Sequence, residues 1–351
     1  LLRACDSTMR RSAMGLSSRL IVLSDRAILR VAGEGSGNFL QGLCTQDVRR
    51  SERALPAAFL SPKGKVLCDT IIKQQDNNEY LVDCHSSVIS SLKRLLVRHK
   101  LRQPLTIDDV SAGYRSMALL PKTAVTDGAS EGTANAETDL PDFFADPRFG
   151  GMGHRAIVPV SEVSESDATG KLSDYHFWRV CCAIPEGPRD LKIDEVMPLH
   201  ANLDLLDFIS FSKGCYVGQE LLTRTKHRGA VRRRIFTVIG ADGDDGELKE
   251  KLQEMKRTDP LSHKFVMPIK ESLQPEGEKD VAIFGQTDGE PKQVGTLLTT
   301  SQNLALCLLR CEGAFNEIAN FERAPLPENM KVMSSSNALH FVVRAPPYVF
   351  S

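Results

Sequence analysis

The chain has 351 residues, 41% of them hydrophobic and 25% charged, an ordinary globular composition on a length that predicts two or three packed subdomains rather than one core. Lys+Arg 44 against Asp+Glu 45 leaves a net charge of -1, which excludes a global field drawing the whole chain to nucleic acid or an anionic membrane. Any basic site must be local. No stretch approaches the roughly 18 consecutive apolar residues of a membrane-spanning helix, so a soluble chain without a membrane partner is expected.

The cysteines number 9, are scattered without CxxC pairs, and so do not read as a secreted disulfide framework. Cys44, Cys68, Cys84 and Cys307 sit in apolar-periodic segments and are read as small buried hydrophobes. Neither Cys181-Cys182 nor Cys307 with Cys311 has the spacing of a zinc site. At the start of the chain Arg3, Arg10, Arg11 and Arg19 stand among Ser and Ala, with only Asp6 before Asp25. That bias is of an organelle transit peptide, read over 1–19.

In chain order, 20–31 reads as two short strands turned at Ser24-Asp25, and the Gly-rich loop 33–37 enters an amphipathic helix carrying Phe39, Leu40 and Leu43. Glu34 inside that loop would repel phosphate, so a plain helix entry is expected. Strands follow at 57–60, 66–72 and 80–84, then a helix over 86–100 and a strand near 105–110. This is a small α+β layer. The tract 126–138 has no large apolar residue and is read as a disordered insertion. After polar tracts at 242–247 and 273–280, short apolar segments at 234–239, 281–284, 294–299, 304–310 and 340–343 suggest a small β-barrel or sandwich over the last third.

The segment carrying the clearest chemistry is Ser212-Lys213-Gly214-Cys215-Tyr216-Val217-Gly218-Gln219-Glu220. Gly214 and Gly218 allow a sharp bend and close approach of a partner. Lys213 and a helix start near Gln219 would both favour the thiolate, the form that ligates metals. A buried structural cysteine in a tight turn is the alternative, against which the polar, cationic flanks argue for exposure. Downstream, Arg224, Lys226, His227, Arg228, Arg232, Arg233 and Arg234 form a basic run with no acid between Glu220 and Asp242. The run suits an anion, such as a folate glutamate tail, or an acidic partner; a solvated strand edge is the plain alternative. It lacks the interleaved aromatics of a nucleic-acid surface. Asp69 interrupts an otherwise apolar strand, where desolvation would raise its pKa. It is either a ligand contact or a buried carboxylate satisfied by backbone donors.

Lys213 to Glu220, read as Lys-Gly-Cys-Tyr-x-Gly-Gln-Glu, resembles the signature of the YgfZ-type branch of the folate-binding, glycine-cleavage T-protein-like superfamily. The likeness extends over nearly the whole chain. Leu40-Gln41-Gly42-Leu43-Cys44-Thr45-Gln46-Asp47-Val48, Ala58-Phe59-Leu60-Ser61-Pro62-Lys63-Gly64-Lys65, Leu101-Arg102, Asp146-Pro147-Arg148, Ile184-Pro185-Glu186-Gly187, Ile209-Ser210-Phe211 and Thr225-Lys226-His227-Arg228-Gly229-Ala230-Val231-Arg232 are similar to further family landmarks. His200 stands where the family usually has an acid, which puts that carboxylate's contact in doubt.

The resemblance implies an α+β ring of three subdomains, two ferredoxin-like and one C-terminal β-barrel, around a folate-sized channel. Over this chain that gives 20–235 as the folate-binding-type domain, with its two α+β subdomains interleaved, and 236–351 as the barrel. It looks most like the mitochondrial members of the branch, which help mature 4Fe–4S proteins in the matrix alongside A-type cluster carriers. Cys215 is then the functional thiol and cluster ligand. Tetrahydrofolate is the implied cofactor. Asp69, Asn202, Lys213, Gly214, Gly218, Gln219, Glu220, Arg224 and His227 are the implied binding residues. A cluster needs about four ligands and the sequence offers one well-placed thiol, so a cluster shared with a partner and a non-enzymatic assembly role are expected. The alternative is a tetrahydrofolate-dependent aminomethyltransferase of the same fold, against which stands Cys181 where those transferases carry a pterin-contacting carboxylate.

Overall fold

The computed structural model describes residues 19–50, 52–121, 142–163 and 167–241, and of the last third 282–285, 292–301, 304–310, 332–334, 340–344, 346 and 348. The expected leader up to residue 18, the insertion 126–138 and the polar tracts 242–247 and 273–280 lie outside the described residues.

The chain does divide at Ser24-Asp25, but the two flanking strands do not pair with each other. β1 (Arg19–Val22) pairs with β7 (Tyr114–Leu120), whereas β2 (Arg26–Ala32) lies between β5 (Glu79–His85) and β6 (Thr106–Asp109). Both strands are largely buried, so each needs cover on two faces, and the turn passes the chain from one sheet to the other. With β3 (Ala54–Leu60) and β4 (Val66–Asp76), the first sheet runs β3-β4-β5-β2-β6. With β8 (Phe143–Ala145) and β9 (His154–Pro159), the second runs β1-β7-β9-β8. All described pairings in both are antiparallel.

Helices α1 (Ser36–Gln41) and α2 (Ile89–Lys100) cover one face of the first sheet. A 3-10 turn, Ser86–Val88, leads into α2, and His85 Nδ1 caps it by accepting from the Ser87 N–H. Ile89, Leu92 and Leu96 then fall at helical spacing and are buried against Val31, Phe59 and Val82. Each fully buried Leu contributes about 2 kcal/mol. Arg98, His99 and Lys100 occupy the last turn, where the helix dipole favours positive charge.

The segment between the two landmark-rich regions holds β7, β9, α3 (Leu172–Cys181) and the short α4 (Gly187–Asp190), none of which the sequence reading located. Tyr175 and Trp178 of α3, with Leu199, Leu203 and Phe208 after it, meet Ile21, Leu60 and Leu120 of the two sheets and Ile235 and Leu306 of the last third in one core. In that last third, β10 (Arg233–Ala241) pairs with β13 (Leu304–Arg310) and β15 (His340–Arg344). β12 (Lys292–Ser301) joins β13 to β11 (Ala282–Gly285), and β14 (Val332–Ser334) joins β11 to β15. The order of pairings thus returns to its start. Strands stand at every expected segment; β14, three residues with no readable alternation, was not foreseen.

Candidate functional site

Cys215 lies in an irregular loop just before α5 (Gln219–Arg228) and is exposed. The other described cysteines, Cys44, Cys68, Cys84, Cys181, Cys182 and Cys307, are buried. Burial pushes the Cys44 and Cys307 thiols up, and the hydrogen bond with Cys84, then burial, does the same for Cys68, so none of these is a ready thiolate.

The segment after α1 holds this loop in place. Thr45 Oγ1 donates to the Phe208 carbonyl at 2.6 Å and accepts from the Ala58 N–H at 2.8 Å, tying the loop's approach to β3. The Ser210 N–H donates to the Thr45 carbonyl, and the Val217 N–H to that of Gly42. The Gln46 amide bonds Asp207 through both its carbonyl and its carboxylate. Lys213 Nζ donates to the Cys44 and Gln46 carbonyls, each at 2.8 Å, and lies 5.0 Å from the centre of the Tyr216 ring. Tyr216 itself is buried.

On the far side, Gly218 has φ +82 and caps α5; a methyl group there would sit 2.5 Å from the Ser61 carbonyl oxygen. Gly64, in the β3–β4 turn, has φ +74 and abuts Leu221 and the Gly218 carbonyl. Two glycines thus permit one close backbone contact. Gly214 differs: a methyl group there would meet nothing within 4 Å. The loop is fixed at both ends and open at the tip that carries the thiol.

Lys213 therefore differs from its expected part. Its ammonium is committed to two carbonyls and a ring, because the Cys44–Gln46 backbone presents acceptors where the loop passes. Its described contacts hold the loop rather than serve the sulfur. Gln219 also turns inward, its Oε1 accepting from the Tyr216 N–H at 3.2 Å. Glu220, Arg224 and His227 are exposed on α5. Lys226 is exposed as well, with Nζ 5.2 Å from the centre of the half-exposed Phe211 ring. Arg228, Arg232 and Arg233 continue the exposed basic face, but Arg234 leaves it: buried, it bonds the Leu199 carbonyl at 2.7 Å and both carboxylate oxygens of Asp204. The run is a helix face passing into a strand, not a strand edge.

Asp69 and Asn202 belong to other settings. The buried Asp69 accepts from the Gly187 N–H at 3.0 Å through Oδ1, while its Oδ2 lies 3.5 Å from Arg26. Burial raises its pKa against the pull of Arg26, as the strand context predicts. Asn202, expected among the binding residues, is turned into the interior. It is fully buried with φ +61, donating to the Ile235 carbonyl and the Tyr348 hydroxyl and accepting from the Ile235 N–H. Its amide mimics a strand neighbour and joins β10 to the preceding 3-10 turn.

Near Asp69 the landmarks Asp146-Pro147-Arg148 and Ile184-Pro185-Glu186-Gly187 meet. Arg148 bonds Glu186 at 2.5 Å and Asp146 at 2.7 Å, and the Tyr175 hydroxyl donates to Glu186 at 2.6 Å. Arg26 and Arg155 both bind Asp83, and Arg179 binds Asp190. Asp25, His176 and Glu186 place ligand-type atoms within 4.8 Å of one another. Yet His176 uses Nε2 toward Asp25 and accepts from Arg179 Nε at Nδ1, so no imidazole lone pair is left for a metal.

Sequence reasoning marked 40–48 as a landmark without seeing that Thr45 and Gln46 hold the thiol loop, because the bonds span more than 160 residues. It also passed over Tyr216, the buried anchor beside Cys215.

Comparison with known proteins gives a consistent picture. The chain is 33% identical over 255 residues to the mitochondrial iron-sulfur cluster assembly factor IBA57 of Mus musculus, covering 64% of this chain and 67% of that protein. It is 35% identical over 240 residues to its Homo sapiens counterpart, covering 62% and 65%. The homologue from Phaeosphaeria nodorum is 29% identical over 316 residues, 86% of this chain and 72% of that one. The chain thus spans about two thirds of the length of these mammalian relatives. No family model matches. Among solved structures, the glycine cleavage system aminomethyltransferase T from Bartonella henselae superposes with a TM-score of 0.62 at 11% identity, over 97% of this chain and 89% of that one. That likeness shows a T-protein-like fold.

Proposed function

Because the chain belongs to the family of mitochondrial iron-sulfur cluster assembly factors named IBA57, we propose that it acts in the mitochondrial matrix to mature 4Fe–4S proteins, with Cys215 supplying one ligand to a cluster shared with an A-type carrier. The observation that carries this reading is the loop itself: an exposed thiol beside an open glycine, on a backbone pinned from both sides. One thiol cannot complete a cluster that takes about four ligands, so the carrier provides the rest. The exposed basic face of Arg224, His227, Arg228, Arg232 and Arg233 follows directly in the chain and suits an acidic partner, at association rates that fall with salt.

The same reading takes the last third, with its closed order of pairings, as the C-terminal β-barrel of the T-protein-like plan. Tetrahydrofolate is proposed from the fold. Asp69 fits a contact, since among the described residues its Oδ2 has only the 3.5 Å approach of Arg26; Asn202 does not, since both its polar atoms are used internally. Saturating tetrahydrofolate should raise the melting temperature by mass action, and absence of both heat and thermal shift would remove folate from the reading. Aminomethyl transfer gains no support from Cys181, a buried thiol.

The direct test is genetic. In cells lacking the endogenous factor, Cys215→Ser should fail to restore 4Fe–4S enzyme activity while the purified variant melts as the wild type does. Full restoration would overturn the role given to the thiol.

A further inference from the structure

Helix α2 ends on a side chain that the fold does not bury. Leu101, the residue that stops it, has φ 50 and ψ -118 and is 81% exposed. A side chain with a Cβ is strained at such a φ, and a backbone with positive φ and strongly negative ψ is ordinarily left to Gly. Leu101 bears that strain and gains almost no burial in return.

Val97, one turn earlier, is 48% exposed and lies on the same face of the helix, since residues four apart are neighbours. Arg94, Arg98 and Arg102 are exposed around these two. None of the three arginines forms an ion pair among the described residues, and no acidic residue occurs between Asp83 and Asp108. Lys100 is turned inward, donating to the Leu105 carbonyl. The outer face of α2 is thus cationic with an apolar tip.

We propose that this face docks the protein on an anionic membrane surface, Leu101 and Val97 entering the lipid while Arg94, Arg98 and Arg102 meet the headgroups. A bilayer supplies both chemistries without needing a shape to match. A protein partner would have to build an acid-lined pocket over two apolar side chains, far less than the roughly 800 Å² per partner of a standard interface. Nucleic acid offers phosphates but nothing for Leu101. The expectation of no membrane partner rested on net charge and the lack of a long apolar run; this patch is local and needs neither.

The test is co-sedimentation of the full chain with phosphatidylcholine vesicles made with and without phosphatidylglycerol. The protein should bind only the anionic vesicles and release as salt rises. Arg94→Gln and Arg98→Gln should each weaken binding about fivefold. Leu101→Gly should weaken it at least about tenfold while the melting temperature stays level or rises. The proposal is overturned by failure to bind, by equal binding to neutral vesicles, or by equal binding to poly-glutamate or duplex DNA. It is equally overturned if Leu101→Gly binds as the wild type does, or if that variant melts lower, which would give Leu101 a place in the fold.

Discussion

His200 stands half-buried among cations, and burial, then Arg233, Lys65 and Arg234, push its pKa down to about 4. The unfolded chain takes up this proton near pH 6.5 and the folded chain refuses it. The group's stabilising contribution is therefore complete above that pH and is lost as the pH falls toward 4. An acid at this position, the residue expected from family resemblance, would instead be paired. His200→Asp should raise stability at neutral pH by about 1 kcal/mol and flatten the melting temperature between pH 6.5 and 4. An unchanged slope would mean that His200 does not carry it. Lys213 teaches a related lesson at the same scale. The exposed Cys215 thiol stands two residues on, but the Lys213 ammonium answers to carbonyls about 170 positions away, and only the fold reveals which contact matters.

At the scale of elements, the thiol loop depends on the contact of the β3–β4 turn with the start of α5. Gly218→Ala would combine left-handed strain of about 1–2 kcal/mol with a clash against the Ser61 carbonyl, so denaturant unfolding should show a loss of about 2 kcal/mol or more. Gly214→Ala has open space and a permissive backbone and should unfold like the wild type. Equal losses for both would contradict the picture of a pinned base and a free tip. Much of this was legible beforehand: the turn at Ser61 to Gly64 by its Pro and Gly, α5 as a helix start near Gln219, and the strands of the first sheet by their apolar runs. What escaped were β7, β9 and α3. β9 carries Arg155 and α3 carries Arg179 at buried positions, so their pattern reads as surface. A period-based reading has no means of knowing that such charges are neutralised from elsewhere in the chain.

At the scale of the molecule, that neutralisation joins the parts. Arg26 and Asp83 come from the first sheet, Arg155 from the second, Arg148 from the loop between β8 and β9, Arg179 from α3, Asp190 from α4 and Glu186 from the residue that precedes α4. Burial alone would raise the Glu186 pKa, but Arg26, Arg148, Arg155 and Arg179 hold it well below the usual carboxylate range. Such a depressed group stabilises the fold above its unfolded value near pH 4.3, and that support is lost only as the pH falls through the folded value. Glu186→Gln leaves buried cations underpaired and should cost about 3–5 kcal/mol at neutral pH. It should also reduce the loss of stability on acidification, as followed by circular dichroism. A variant as stable as the wild type would remove the network from its place at the centre of the fold.

Among the described cysteines Cys215 alone is exposed, and the most direct measurement of the proposed function concerns its sulfur. The protein is mixed anaerobically with an A-type carrier, supplied with iron and sulfide, separated by size, and its visible absorbance recorded. The account predicts that the wild type co-elutes with the carrier and a coloured cluster, whereas Cys215→Ala still co-elutes at low salt but without that cluster. An equally intense and stable cluster on the Cys215→Ala complex would contradict it, for the carrier alone would then hold the iron.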